Sequence, residues 1–325
     1  MKKTGVLFIV SAFVLALFAG CAGTKSVSAG GGAAVDNPGK LSVCASFYPM
    51  YDFASKIGGD RIEMINMVPA GTEPHDWEPS ATDITNLEKA DVFIYNGAGM
   101  EHWAEKVLDS LQNKNLIAVE ASNGLTLLEG HGHEEESAGE EDHEDEEEHE
   151  EEAFDPHVWL SPQNAKGEME AIKNAFSQAD PENKDYYEAN FSKYAAEFDA
   201  LDSEFKDTLS AFKNRDIIVA HQAFGYLCAD YGLNQVAIEG LSADSEPDPA
   251  RMAEIIRFAK EHDVKVIFFE ELVSPKVAET IASAIGAETD VLNPIEGLSD
   301  EQLKSGDDYF SVMRQNLAAL KAALE

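Results

Sequence analysis

Cysteine, basic charge and long apolar runs are all scarce in this chain. Of 325 residues only three are cysteine, and one of them, Cys21, sits at the end of an N-terminal apolar segment. That leaves Cys44 and Cys228, one in each half. They are expected as buried free thiols, although an exported protein could pair them. Lys and Arg together number 24 against 61 Asp and Glu, a net charge of −37. A balance so acidic argues against nucleic acid as a partner and suits a protein that handles cations. The longest apolar run is Val6–Phe18. That is too short to span a bilayer stably, and nothing later is longer. No helix carries a His-Glu-x-x-His pattern, the signature of one large class of zinc hydrolases.

What is present begins with an address. Lys2 and Lys3 precede the apolar run, and Ala19-Gly20-Cys21 follows it, so residues 1–20 read as a secretory signal. Small residues ahead of a cysteine resemble a bacterial lipobox, with Cys21 lipidated and becoming the mature N-terminus; Phe18 stands where Leu is usual. Residues 21–40, rich in Ala, Gly and Ser, read as a flexible tether. Lipid plus tether implies a protein anchored to the outer face of the cytoplasmic membrane but not embedded in it.

From Leu41 onward short apolar strands alternate with amphipathic helices, which implies parallel strands joined by helical crossovers. The expected class is α/β, with two lobes, each a parallel sheet flanked by helices. A first lobe is expected over residues 41–180. Within it, a tract at 129–153 is nearly free of apolar residues and cannot bury a core, so it is expected as a disordered loop. Residues 129–152 contain 15 Asp or Glu and no Lys or Arg. His131, His133, His143 and His149 lie among those carboxylates, a composition suited to weak, multivalent metal collection. From Pro181 to Lys213, Tyr187, Phe191, Tyr194, Phe198, Leu201, Phe205, Leu209 and Phe212 recur every three or four positions. This predicts one long helix, roughly 40 Å for about 28 residues, able to join both lobes. The second lobe is expected over 214–325.

Three histidines sit in ordered, mostly proline-flanked loops. His75 lies in Gly71-Thr72-Glu73-Pro74-His75-Asp76-Trp77, His157 in Asp155-Pro156-His157-Val158-Trp159, and His221 directly after the apolar strand Asp216–Ala220. Ligands in open α/β sheets bind just past the carboxyl ends of strands. Three neutral imidazoles converging from separate loops make a zinc donor set. A fourth group is needed to close a tetrahedron. Glu296 follows the last expected strand in a Pro/Gly-framed loop, and Glu270 also ends a strand and is the alternative. Asp155 and Asp76 adjoin ligand histidines and are candidates to bond their second ring nitrogens, with Asp83 or a backbone carbonyl as alternatives. His102 and His262 lie in helical patterns away from these loops and read as surface residues.

The segments Phe47-Tyr48-Pro49 through Gly58-Gly59-Asp60, Gly71–Pro79, Asp155–Pro162, His221–Tyr226 and Leu292–Glu296 resemble the zinc-binding members of the metal-specific solute-binding lipoproteins that serve ABC importers. The resemblance covers essentially the whole mature chain. It implies a metal held between two lobes joined by a rigid helix, with His75 and His157 from the first lobe and His221 and Glu296 from the second. Many relatives carry a ligand Asp where this chain has Asn293. A neutral amide is a poorer ligand for Zn2+, and relatives with Asn-Pro there use the Glu two residues past the proline, which points to Glu296. Manganese-binding relatives have Glu in place of His221, so imidazole there favours zinc. The implied function is non-enzymatic capture of Zn2+ outside the membrane by a monomer, and delivery to a membrane permease. A manganese receptor of the same family and a zinc hydrolase are the alternatives.

Overall fold

Short parallel strands with helical returns are what the chain builds, twice over. The structure, a computed structural model, describes residues 39–130, 154–241 and 247–325. The first half lays down β1 (Leu41–Ala45), α1 (Tyr48–Gly58), β2 (Ile62–Asn66), α2 (Ala81–Leu87), β3 (Val92–Tyr95), α3 (Ala104–Ser110) and β4 (Ile117–Glu120). Two helices follow, α4 (Pro162–Ala179) and α5 (Lys184–Leu209). The second half contains β5 (Asp216–Val219), α6 (Gly225–Tyr231), β6 (Asn234–Ala237), α7 (Pro249–Glu261), β7 (Val266–Phe269), α8 (Lys276–Ile285), β8 (Glu288–Val291), α9 (Asp300–Ser305) and α10 (Tyr309–Leu324). The sheet orders are β2-β1-β3-β4 and β6-β5-β7-β8, with every pair parallel. Each order reverses between its two central strands, β1 and β3 in one sheet and β5 and β7 in the other. Helices cover both faces of such sheets, so central strands are apolar throughout: Val92, Phe93 and Ile94 are completely buried.

Local chemistry sets the helix starts. Ser80 and Asp83 form a capping box at α2, as do Ser299 and Gln302 at α9 and Asp308 and Ser311 at α10. Proline occupies the first turn of α1, α4 and α7, where its missing N–H costs nothing. The long helix expected from Pro181 begins as a 3-10 turn at Pro181–Asn183 and is α-helical for 26 residues. At 1.5 Å per residue that is about 39 Å. Its stripe packs as the spacing predicts: Tyr187, Phe198, Leu201, Phe205 and Leu209 are fully buried, and Phe191, Tyr194 and Phe212 pack half-buried against the same core.

That core runs through both lobes. Phe198 of α5 meets Phe53 of α1 at 5.8 Å and Phe310 of α10 at 4.7 Å between ring centroids. Each such ring contributes about 1.5–3 kcal/mol on burial. The α5 helix is therefore held by both halves, which makes it a stiff joint. Among the described residues no helix is long and apolar enough to cross a membrane. Cys44 and Cys228 are both buried and free. The leader, the tether and residues 131–153 of the acidic tract lie outside the described residues, as do 242–246.

One core feature runs against economy. Glu168 on α4 is completely buried, and neither carboxyl oxygen has a hydrogen-bond partner among the described residues. Burial, with a smaller push from Glu101, raises its pKa well above the ordinary value. Replacing an unsatisfied buried polar group with an apolar one of similar shape removes a desolvation penalty. Glu168→Met is thus expected to stabilise the fold by roughly 1–2 kcal/mol in urea unfolding; a destabilised variant would mean the carboxyl has a structural partner.

Candidate metal centre

The strand orders decide which side chains meet. His221 stands two residues past the end of β5, and Glu270 immediately past the end of β7. Because β5 and β7 are neighbours at the reversal point, both side chains open into one crevice. There the Glu270 carboxylate sits against His221 Nδ1 in a very short contact, turning Nε2 outward. The first sheet uses its reversal point differently. Glu101 accepts from the Ser46 hydroxyl at 2.6 Å and from the backbone N–H of Asn96 and Gly97 at 2.9 Å each. The Asn96 amide, so fixed, donates to the Pro156 carbonyl at 2.9 Å and holds the segment carrying His157.

Around His157, the Asp155 carboxylate accepts the histidine's own backbone N–H at 2.9 Å and faces its Nδ1 at 2.8 Å. Trp159 ties the same segment to the second lobe, its indole N–H donating to the Pro294 carbonyl at 2.7 Å. His75 lies in the loop after β2, where both Glu73 oxygens accept its backbone N–H, at 3.0 and 3.1 Å. Glu296 follows a constrained residue: Ile295 has φ +61°, a conformation costly for a β-branched side chain. Asn293 holds that turn by accepting the Ile295 N–H at 2.7 Å, while the Asn316 amide donates to the Asn293 carbonyl at 2.7 Å.

Four donor atoms converge. His157 Nε2 lies 3.2 Å from His75 Nε2 and 3.2 Å from His221 Nε2. Glu296 Oε1 is 3.0 Å from His157 Nε2, and 3.3 Å from each of the other two. All four atoms lie within 4.8 Å of one another. A tetrahedral zinc ion with bonds of about 2.0–2.1 Å has donors about 3.3 Å apart, and five of the six edges come within about 0.3 Å of that length. His157 and His221 are fully buried, and His75 and Glu296 nearly so.

The electrostatics belong to a site built around positive charge. Burial alone would push His157 down, but hydrogen bonds and charge from Asp155 and Glu296 outweigh it and bring the ring to about 9. His221 is likewise raised well above its ordinary value: burial opposes charge, and the Glu270 and Glu296 carboxylates prevail. Glu296 is held well below the usual carboxylate range, because His221 and its neighbours more than offset the cost of burial. Without a cation, protons supply the positive charge.

The structure brings together His75, His157, His221 and Glu296, the four side chains the sequence singled out. Glu270, the alternative fourth donor, is not in that group; it orients His221 instead. Asp155 occupies the place expected of it beside His157. Asp76 is exposed, and Asp83 is engaged with the N–H and hydroxyl of Ser80. His102 and His262 are exposed, each beside a carboxylate, Glu78 and Asp216. Sequence reasoning missed Asn316, whose helix position gives no hint that it locks a loop, and the service of Asn96 and Glu101 to the His157 segment.

Comparison with known proteins adds independent findings. Residues 43–323 match the family described as ZnuA, zinc-uptake complex component A, periplasmic. The chain is 45% identical over 324 residues to the high-affinity zinc uptake system protein ZnuA of Bacillus subtilis, covering 99% of this chain and 98% of that one. It is 41% identical over 283 residues to the zinc-binding lipoprotein AdcA of Streptococcus pneumoniae, covering 87% of this chain but 56% of that longer protein. The crystal structure of the Zn(II)-bound ZnuA-like domain of S. pneumoniae AdcA superposes with a TM-score of 0.74 at 39% identity, covering 88% of this chain and 99% of that domain.

Proposed function

The chain belongs to the zinc-uptake complex component A family, and from that membership we propose an extracytoplasmic receptor that captures Zn2+ through His75, His157, His221 and Glu296 and delivers it to an ABC importer permease. The observation that carries this reading is the donor geometry: three imidazole nitrogens and one carboxylate oxygen spaced as the corners of a zinc tetrahedron. Four protein donors close the coordination sphere. A catalytic zinc keeps one position for water, so the arrangement supports binding and transfer over hydrolysis. Manganese favours oxygen-rich octahedral sites, which three imidazoles do not supply.

On this reading residues 1–20 are removed, Cys21 is lipidated, and residues 21–40 tether a monomer to the membrane's outer face. Residues 41–180 and 214–325 act as the two lobes, with 181–213 as the joint. The composition of 129–153 supports a weak collector that raises local cation concentration beside the tight site. The test is elemental analysis of protein purified without added metal, followed by calorimetric titration with Zn2+ and Mn2+. One tightly held zinc per chain is expected. Preference for manganese would overturn the assignment.

A further inference from the structure

His157 belongs to the first lobe, yet the chain that orients it is completed by the second. Tyr226, buried in the first turn of α6, accepts the Leu128 backbone N–H at 3.0 Å and donates to the Asp155 carbonyl at 2.8 Å. Asp155 in turn donates its own N–H to the Leu128 carbonyl at 3.0 Å. The phenol therefore clamps both chain segments from which the acidic tract departs. Burial raises its pKa to about 12, so at neutral pH the hydroxyl keeps the proton it donates. The adjacent Gly225 presses on the same aspartate: a Cβ there would meet Asp155 Oδ2 at 2.3 Å. Only a residue without a side chain allows α6 this close. The far oxygen, Asp155 Oδ1, is the one facing His157 Nδ1.

We propose that Tyr226 is a positioning residue for zinc capture, fixing the His157 ring through Asp155 and so joining it to His221, which stands on the same β5–α6 connection. Without the hydroxyl, Leu128 N–H and Asp155 C=O lose a shared buried partner. The Asp155–His157 segment then relaxes, and Nε2 leaves its corner of the tetrahedron. Outer partners of metal-binding histidines typically change affinity by about 10- to 100-fold.

The inference rests on the four-donor reading, and the test separates the two. Tyr226→Phe is compared with Tyr231→Phe, which removes a hydroxyl from the same helix that bonds Asp202 at 3.2 Å, with no link to the donors. Zn2+ affinity is measured by chelator competition, and Co2+ is used as a probe whose visible absorption reports tetrahedral geometry. Tyr226→Phe is expected to weaken Zn2+ binding by at least about tenfold and to change the Co2+ spectrum, whereas Tyr231→Phe matches the unsubstituted chain. Gly225→Ala, pushing Asp155 from the other side, is expected to change the Co2+ spectrum too. A Tyr226→Phe protein with unchanged affinity and spectrum overturns the proposal. So does equal weakening in both phenylalanine variants with unaltered spectra, which is a general stability effect. Failure of the unsubstituted chain to bind Zn2+ tightly overturns the donor set itself, and the proposal with it.

Discussion

Glu296→Ala is expected to weaken Zn2+ binding by about 100- to 1,000-fold. Structural zinc sites with four protein donors bind with about 10–16 kcal/mol, so one donor carries about 2.5–4 kcal/mol, or roughly two to three decades at 1.4 kcal/mol each. Glu296 also holds the negative charge that faces all three imidazoles. Glu270→Ala is expected to cost less, about 10- to 100-fold, because Glu270 acts by turning the His221 ring and not as a donor. Chelator competition on both folded variants measures the difference. A Glu296→Ala protein with normal affinity, beside a Glu270→Ala protein that binds nothing, would exchange the two roles.

Zinc is expected to stabilise the protein more at pH 9 than at pH 6. In the metal-free fold His157 titrates near 9 and His221 well above its ordinary value. A histidine whose folded pKa is raised contributes stability fully below its unfolded value, about 6.5, and loses it as pH climbs through the folded one. The metal-free protein should therefore lose stability between about pH 6.5 and 9. Bound zinc requires neutral rings and displaces those protons, so the zinc form is spared that loss. Where free zinc is about a thousand times its dissociation constant, the gap reaches about 4 kcal/mol. Thermal unfolding with zinc and with chelator at pH 6, 7.5 and 9 reads this directly. A gap that stays constant or narrows as pH rises would contradict it.

How much of this was legible depended on how local each cause is. The α5 helix was visible because eight apolar residues repeat at helical spacing over 26 positions, a signal hard to produce otherwise. The end of β5 was visible as an apolar run stopping at His221, and that of β8 as a short strand stopping at Asn293-Pro294, and so the donors just beyond them could be named. Three short elements escaped, the 3-10 turns Gly59–Arg61 and Val158–Leu160 and the helix α9, because none is long enough to show a period. The role of Glu270 stayed open in the sequence for a different reason. Whether it faces the metal or His221 depends on β7 lying beside β5, and strand order is a property of the folded sheet that no local pattern encodes. The same holds for Tyr226, Asn96 and Asn316, whose partners lie 71, 60 and 23 residues away. Asp155 was read correctly because it is two residues from the histidine it serves.

Anomalous diffraction at the zinc edge, from crystals of the zinc-loaded chain, tests the central claim most directly. The expected result is one strong peak within about 2.0–2.2 Å of His75 Nε2, His157 Nε2, His221 Nε2 and a Glu296 oxygen. A peak coordinated elsewhere, or one at this site with water in place of Glu296, would contradict it.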